Sequence, residues 1–412
     1  MSRSHYKVFS EGKIGPLTLP NRLVRSATWD PSILGERRMR DEVLDLYGEV
    51  AAGGVGLVIT GDFSVVSIGM LEEAGSGHRR ASYADVRVEG FGGLAERVHR
   101  CGPRCKIVAQ LSGNCPGIAP SDVPSPFSTE RLKPLSTEQI RAIVACFVQA
   151  IAGVREDGFD GVQLHAAHGG LLSSFLSPYT NRRNDEYGGS AENRARIVGE
   201  IIAGARRIVG GFPILIKLNC TDYVEGGIDI NSFPELALEI ERAGVDSIEI
   251  SGGMWDCLVR SEEELGFRPV PAPESHTHIQ HVDQQSYFLA YAERLAPKVP
   301  LILVGGNRDV ETMEEIVRSG KADFVAMCRP LICEPDLPKR WLEGRGKSGA
   351  ACIACNSCIY DMITNVSAQA PRVATCVFKT DRQRHRKAQR WLSSWVRRNA
   401  VRRQRRHSFW WE

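Results

Sequence analysis

Two histidines, His165 and His168, stand three residues apart at the head of a long polar run, HAAHGGLLSSFLSPYTNRRNDEYGGSAENRARI, from 165 to 197. Imidazoles so placed can ligate a metal, donate paired hydrogen bonds to one oxygen, or pin a turn. A metal needs a third ligand, and Asp62 is the one evident candidate, so paired donors to a substrate oxygen are the favoured reading. Lys217 sits inside the apolar run ILIKLN. A cation there needs a negative partner: a carboxylate, an anionic cofactor, or none if the amine forms a Schiff base. Composition does not choose among these. Gln110, at the end of KIVAQL, offers the donor and acceptor that a flat heterocycle needs. The stretches VGGN at 304–307 and MCRP at 327–330 combine Gly305 and Gly306 with Arg329. Backbone N–H groups at glycines and a two-pronged guanidinium suit a phosphate better than two plain turns and a surface arginine.

A second group lies downstream. In CIACNSC, Cys352, Cys355 and Cys358 are separated by two residues each, and Cys376 follows after seventeen more. Four thiolates so spaced can close on an iron–sulfur cluster or on zinc; a metal-free remnant is the remaining reading. Twelve cysteines without a secretory leader point to a reducing compartment, and the cytoplasm is expected. No run of about 18 uncharged apolar residues suggests a transmembrane segment.

Such residues need rigid elements to hold them. Four stretches share one form, a helix end, a glycine and an apolar run: AAGGVGLVIT, REDGFDGVQL, ERAGVDSIEI and RSGKADFVAM. Four further β-rich runs, LVRSAT, CKIVAQLS, PILIKLN and PLILVGG, complete eight strands, with helix-period segments such as TEQIRAIVACFVQAIAGVRE between them. Alternating strands and helices predict a parallel sheet, and eight units predict a (β/α)8 TIM barrel. A doubly wound sheet is the runner-up, but the one G-x-G-x-x-G, GRGKSG at 344–349, follows a helix and reads as a loop. In such a barrel, chemistry sits at strand C-termini, which is where the residues above fall.

The run from 165 to 197 closely resembles the signature of the old yellow enzyme family of FMN-dependent ene-reductases. NRLVRSAT, GGVGLVITG, AQL, LILVGG and RPLICEPDLP follow in the family's order, so the resemblance covers roughly residues 6 to 345. It implies FMN across the barrel mouth, with Ser26, Ala27, Thr28 and Gly61 along it and Gln110 on its pyrimidine part. Lys217 would lie near the N1/O2 end, and Gly305, Gly306, Cys328 and Arg329 would hold the phosphate. His165 and His168 would polarise a substrate carbonyl, so that hydride reaches the β-carbon of an activated alkene. NAD(P)H or a partner protein would supply the electrons. Three positions depart from the pattern. Gly170 stands where the family places a proton-donor tyrosine, leaving Tyr179, Tyr223 or water for that role. Trp29 replaces a flavin-tuning Thr or Cys, and Gly113 replaces a histidine.

The cysteine motif resembles the [4Fe–4S] motif of the trimethylamine dehydrogenase and 2,4-dienoyl-CoA reductase branch. A cluster there would pass single electrons between FMN and an electron-transfer protein. An amine dehydrogenase and a non-catalytic flavin carrier are the alternatives; the histidine pair argues against the first. Three regions are expected: the barrel over 1–345, the cysteine-rich segment over 346–380 and a basic tail over 381–412. The tail holds eleven Lys or Arg and two acids, a net +9 inside a total of +3. Trp391, Leu392, Trp395 and Val396 could share one helical face, as on a membrane-surface helix; contact with nucleic acid or a disordered end are the other readings. The expected partners are a small-molecule substrate, an electron-transfer protein and further copies of the chain in a homo-oligomer, with no specific nucleic acid. The insertion at 254–283 carries no legible motif.

Overall fold

The computed structural model describes residues 2–28, 39–66, 90–113, 117–126, 131–268, 272, 274–277, 279, 281–365 and 373–407. Trp29 lies outside them. Eight parallel strands close into a barrel: β1 (Leu23–Arg25), β2 (Leu57–Ser64), β3 (Lys106–Ser112), β4 (Gly161–Ala166), β5 (Ile214–Asn219), β6 (Ser247–Ser251), β7 (Leu301–Leu303) and β8 (Phe324–Met327). The seam is β8 on β1, with Met327 opposite Arg25. Each expected strand is present. The runs are apolar on both faces because helices cover the outside and side chains fill the inside.

The outer helices used here are α1 (Asp41–Ala52), α2 (Phe91–Cys101), α3 (Thr137–Glu156), α4 (Ala191–Val209), α5 (Phe233–Arg242) and α6 (Val310–Arg318). Their glycine stops work as the sequence implies: Gly54, Gly158, Gly244 and Gly320 all have positive φ, between 75° and 94°. Starts are fixed by side chains. Ser136 and Gln139 form a capping box on α3, and Asp309 accepts from two backbone N–H groups of α6. By length and composition α3 is apolar enough to cross a membrane. Its residues Ile140, Ile143, Phe147, Ile151 and Val154 are buried, at the spacing of a helix face packed on the barrel.

Two features go beyond the sequence reading. An N-terminal hairpin, Gly12–Ile14 with Leu17–Leu19, plugs the lower end of the barrel. Ile14, Leu17 and Leu19 pack there against inward residues of the strands, among them Val24, Leu57 and Phe324. A β-bulge also interrupts β2. Ile59 pairs with Val108, but the next pair is Asp62 with Gln110, so β2 gains one residue over β3. One extra residue flips the side of the strand that every later side chain faces.

After β8 come a short helical turn, α7 (Arg329–Cys333), then α8 (Ser357–Asn365), α9 (Val377–Thr380) and a long helix, α10 (Arg382–His407). The cysteine segment docks on the barrel rim: Ala350 N donates to Arg308 O at 2.7 Å and Ala351 N to Glu334 Oε2 at 2.6 Å. Its GRGKSG stretch is a loop. The tail is helical from 382 to 407. Ala388 and Leu392 bury against Tyr360, with Trp391 packed beside them, and Arg384 pairs with Asp361. The side chains of Trp395 and Val396 lie outside the described residues.

Candidate active site

The upper rim surrounds a cavity of about 870 Å³. Strand β1 brings Ser26, Ala27 and Thr28 to its wall, β3 brings Gln110, and β4 brings His165 and His168. Lys217 enters from β5, Gly305 and Gly306 from the β7 loop, and Cys328 and Arg329 from the end of β8. Gly61 is the exception among the expected residues. The bulge turns it away from the cavity, where its N–H donates to Tyr47 Oη at 2.8 Å, and turns Asp62 inward instead.

The cavity floor is a chain of hydrogen bonds ending on a buried carboxylate. Lys217 Nζ donates to Glu249 Oε1 at 2.9 Å and to Ser26 Oγ at 2.8 Å. Ser26 Oγ donates to the same carboxylate oxygen at 2.6 Å. Gln163 Nε2 donates to Glu249 Oε2, and Gln110 Nε2 to Gln163 Oε1, both at 2.7 Å. Glu249 is thus the negative partner that Lys217 requires. The sequence reading missed it, although IEI at the end of the sixth strand buries an acid in an apolar run, the same signal that picked out Lys217.

His165 and His168 face each other edge to face, ring centroids 5.2 Å apart. Burial pulls both imidazoles below their ordinary range; His165 is partly held up by the Asp62 carboxylate, and His168 is pushed further down by its neighbour His165. Both rings are therefore neutral near pH 7, and each carries one N–H. Among the described residues, His165 Nδ1 is buried with no hydrogen-bond partner. His168 Nε2 lies 2.7 Å from Ser251 Oγ, and its backbone N–H donates to Asn219 Oδ1 at 3.0 Å. That second bond helps to hold His168 at φ 61°, a left-handed conformation uncommon outside glycine.

The Arg329 side of the cavity is cationic. Arg329 is buried, and its Nη1 donates to two neutral acceptors, His276 O at 2.8 Å and Asn356 Oδ1 at 2.5 Å. Among the described residues no carboxylate forms an ion pair with it. Gly305 and Gly306, at φ 120° and 75°, shape the adjoining loop. A buried cation without an ion-paired carboxylate among the described residues, beside glycine backbone, fits an anion from a ligand, and the wall as a whole fits FMN.

The insertion contributes a wall residue, Glu274, and a buried histidine, His276, that no sequence pattern announced. Glu274 lines the cavity, and burial pushes its carboxyl up, opposed in part by Lys217 and Arg329. His276 is stacked between Phe267 and Tyr287, centroids 3.5 Å and 3.7 Å away, and burial lowers it to about 3. Of the tyrosines considered as proton donors, Tyr179 lines the cavity and Tyr223 does not.

A family model described as NADH:flavin oxidoreductase / NADH oxidase matches residues 7–348. The chain belongs to that family. A NADH oxidase of Thermoanaerobacter brockii is 34% identical over 363 residues, 85% of this chain but 52% of the relative, so the chain spans about half of that protein. A NADH-dependent flavin oxidoreductase of Hypocrea jecorina is 33% identical over 78% of this chain and 85% of its own length. The solved complex of 2-naphthoyl-CoA reductase with 2-naphthoyl-CoA superposes with a TM-score of 0.74 at 24% identity, covering 93% of this chain and 58% of that one. Membership of this family agrees with the cavity wall, whose residues fit a flavin.

Beside this cavity is a second, about 20 Å³, whose wall includes Cys352, Cys355, Cys358 and Cys376. Cys352 and Arg329 line both. The eleven described cysteines are all unbridged. Burial raises the Cys352 and Cys358 thiols, whereas a hydrogen bond from Cys333 lowers Cys376 to about 6. Among the described residues no three ligands stand at metal-binding geometry. The four share one cavity, so the donor set suits an iron–sulfur cluster in kind, and binding requires the thiols to close inward.

Two outcomes follow from the buried charges. Glu249→Gln removes the counter-charge of Lys217 and should destabilise the fold by about 3–5 kcal/mol, read from the urea midpoint. His276 binds protons less readily when folded than when unfolded, so it favours unfolding as pH falls below about 6.5, and increasingly so down to about pH 3. At pH 5 the loss is about 2 kcal/mol. His276→Phe, which keeps a stacking ring, should remove that part of the acid sensitivity between pH 7.5 and pH 5.

Proposed function

We propose that the protein reduces an alkene conjugated to a carbonyl, with NAD(P)H or a protein donor as the source of electrons. The observation that carries the reading is the pair of neutral imidazoles, His165 and His168, side by side in the wall of the flavin cavity. Bound FMN would supply the hydride chemistry, accepting two electrons and returning them to the substrate. The chain's own residues do the rest. A neutral histidine with a spare ring nitrogen can donate to the substrate oxygen, which draws electron density from the β-carbon. Desolvation strengthens that bond and keeps both rings neutral as pH varies above their lowered range. Lys217 faces the site as a fixed positive charge, oriented by Glu249 and Ser26, and favours negative charge developing on a flavin beside it. The names of the relatives support NADH as reductant.

Tyr179 is the proposed proton source. It lines the cavity and its hydroxyl donates to Asp256 Oδ1 at 3.4 Å, whereas Tyr287, the other tyrosine of the wall, donates to Glu274 O at 2.7 Å. The four cysteines are proposed to hold a [4Fe–4S] cluster, supported by their shared cavity and by its common wall with the flavin site.

His165→Ala should lower kcat/KM for 2-cyclohexen-1-one by about 100-fold or more while flavin reduction by NADPH is little changed. Equal loss in both half-reactions would count against the role. Tyr179→Phe should slow the oxidative half-reaction alone. Gly170 has φ −64° and ψ 172°, which any residue adopts, so Gly170→Tyr can place a phenol there without backbone strain. It should raise alkene turnover if proton delivery limits the native reaction.

A further inference from the structure

Helix α10 has two faces with different tasks. Its inner face covers the cysteine site. Gln389 Nε2 donates to Cys355 O at 2.9 Å and to Ser357 Oγ at 2.8 Å, and His385 Nδ1 lies 2.9 Å from Ser357 Oγ. Cys355 Sγ is 4.0 Å from the same ring nitrogen. The outer face carries Arg382, Arg386 and Arg390 at four-residue steps, with Lys387 beside them, and all four are exposed. Among the described residues no carboxylate pairs with them, unlike Arg384 on the inner side, which pairs with Asp361. Six more arginines follow before the helix ends at His407.

The surface beside this stripe is apolar. Ile353 and Phe378 are 42% and 39% exposed, among the few large hydrophobic side chains so placed. Both also line the small cysteine cavity, and Phe378 packs on His385 with centroids 5.1 Å apart. An exposed apolar contact directly over the cysteine site, flanked by cations with no carboxylate partner among the described residues, has the make-up of a transient electron-transfer interface. The apolar part excludes water where electrons cross, and the charges orient the encounter.

We infer that this patch, Ile353 and Phe378 with the outer face of α10, docks an acidic one-electron carrier protein that exchanges electrons with the cysteine site. The inference rests on the proposed cluster. In the reducing direction each encounter oxidises the carrier by one electron and reduces the protein by one. Two encounters and one proton from water supply the equivalent of one hydride. Electrons then reach the flavin cavity across the wall that Cys352 and Arg329 share between the two cavities.

The test uses the full-length holoprotein, loaded with FMN and cluster, and a pre-reduced acidic [2Fe–2S] ferredoxin in anaerobic stopped flow. Reduction should be fast at low salt and slow as ionic strength rises toward physiological values. The R386E/K387E/R390E variant should lose about tenfold or more of that rate, while reduction by dithionite is unchanged. Phe378→Ser should lower the rate with little change in salt dependence. An unchanged ferredoxin rate in the charge-reversed variant overturns the inference. So does failure of ferredoxin to reduce the wild type when iron and acid-labile sulfide are full. If iron and sulfide are absent, the cluster reading fails separately. Fluorescence anisotropy with labelled, oxidised ferredoxin then still reads the surface: salt-sensitive binding lost in the variant supports it, and no binding overturns it. Tight binding of poly(U) RNA without ferredoxin binding would also overturn it.

Discussion

Everything at the barrel mouth depends on one buried ion pair, Lys217 with Glu249. Neither charge could be held there alone, because removing an ion from water costs several kcal/mol even after relaxation. They sit directly opposite on neighbouring strands, and the remaining acceptor capacity of Glu249 is met by Ser26 and Gln163. Gln163 passes the arrangement on to Gln110. Five strands of the barrel are therefore tied together at one level by side chains as well as by backbone. The cavity floor is fixed before any ligand enters, which is the preorganisation that catalysis by electrostatics requires.

Above that floor the charges are unevenly spread. Lys217 is ion-paired with Glu249 within the protein, while Arg329 donates to neutral acceptors, so the stronger demand for an anion lies beside Arg329. The histidine side is the opposite. Burial keeps His165 and His168 uncharged, so what they offer is a hydrogen bond, with no net charge attached. A long anionic cofactor can thus be anchored at one end while its reactive end faces a neutral, hydrogen-bonding pocket. The cysteine cavity adjoins the anchored end, and the shared residues Arg329 and Cys352 make the two sites neighbours.

Much of this is legible in the sequence. The glycine that ends each of four helices, followed by a doubly apolar run, gave the strand count and the barrel; all four glycines have the left-handed φ that such a stop needs. Lys217, Gln110, Arg329 and the two histidines could be picked out because each puts polar chemistry at the end of an apolar strand. Glu249 carried the same mark and was passed over. Gly61 and Asp62 both stood at a strand end, and the bulge, which leaves no mark in the sequence, decides that Asp62 and not Gly61 lines the cavity. The insertion was opaque: Glu274 reaches the cavity by loop geometry, which leaves no periodic trace.

The sequence by itself determined the elements, the strand ends and the kinds of chemistry available, because periodicity and local capping are properties of neighbouring residues. It could not say what Lys217 was for, because the alternatives open to it differ only in what stands across the barrel. Nor could it show that the basic tail is a helix laid over the cysteines, with paired residues inside and unpaired cations outside. Charge pairing, the facing of a side chain after a bulge, and the joining of two cavities through one wall are distances between residues far apart in the chain. Only closure of the barrel sets those distances.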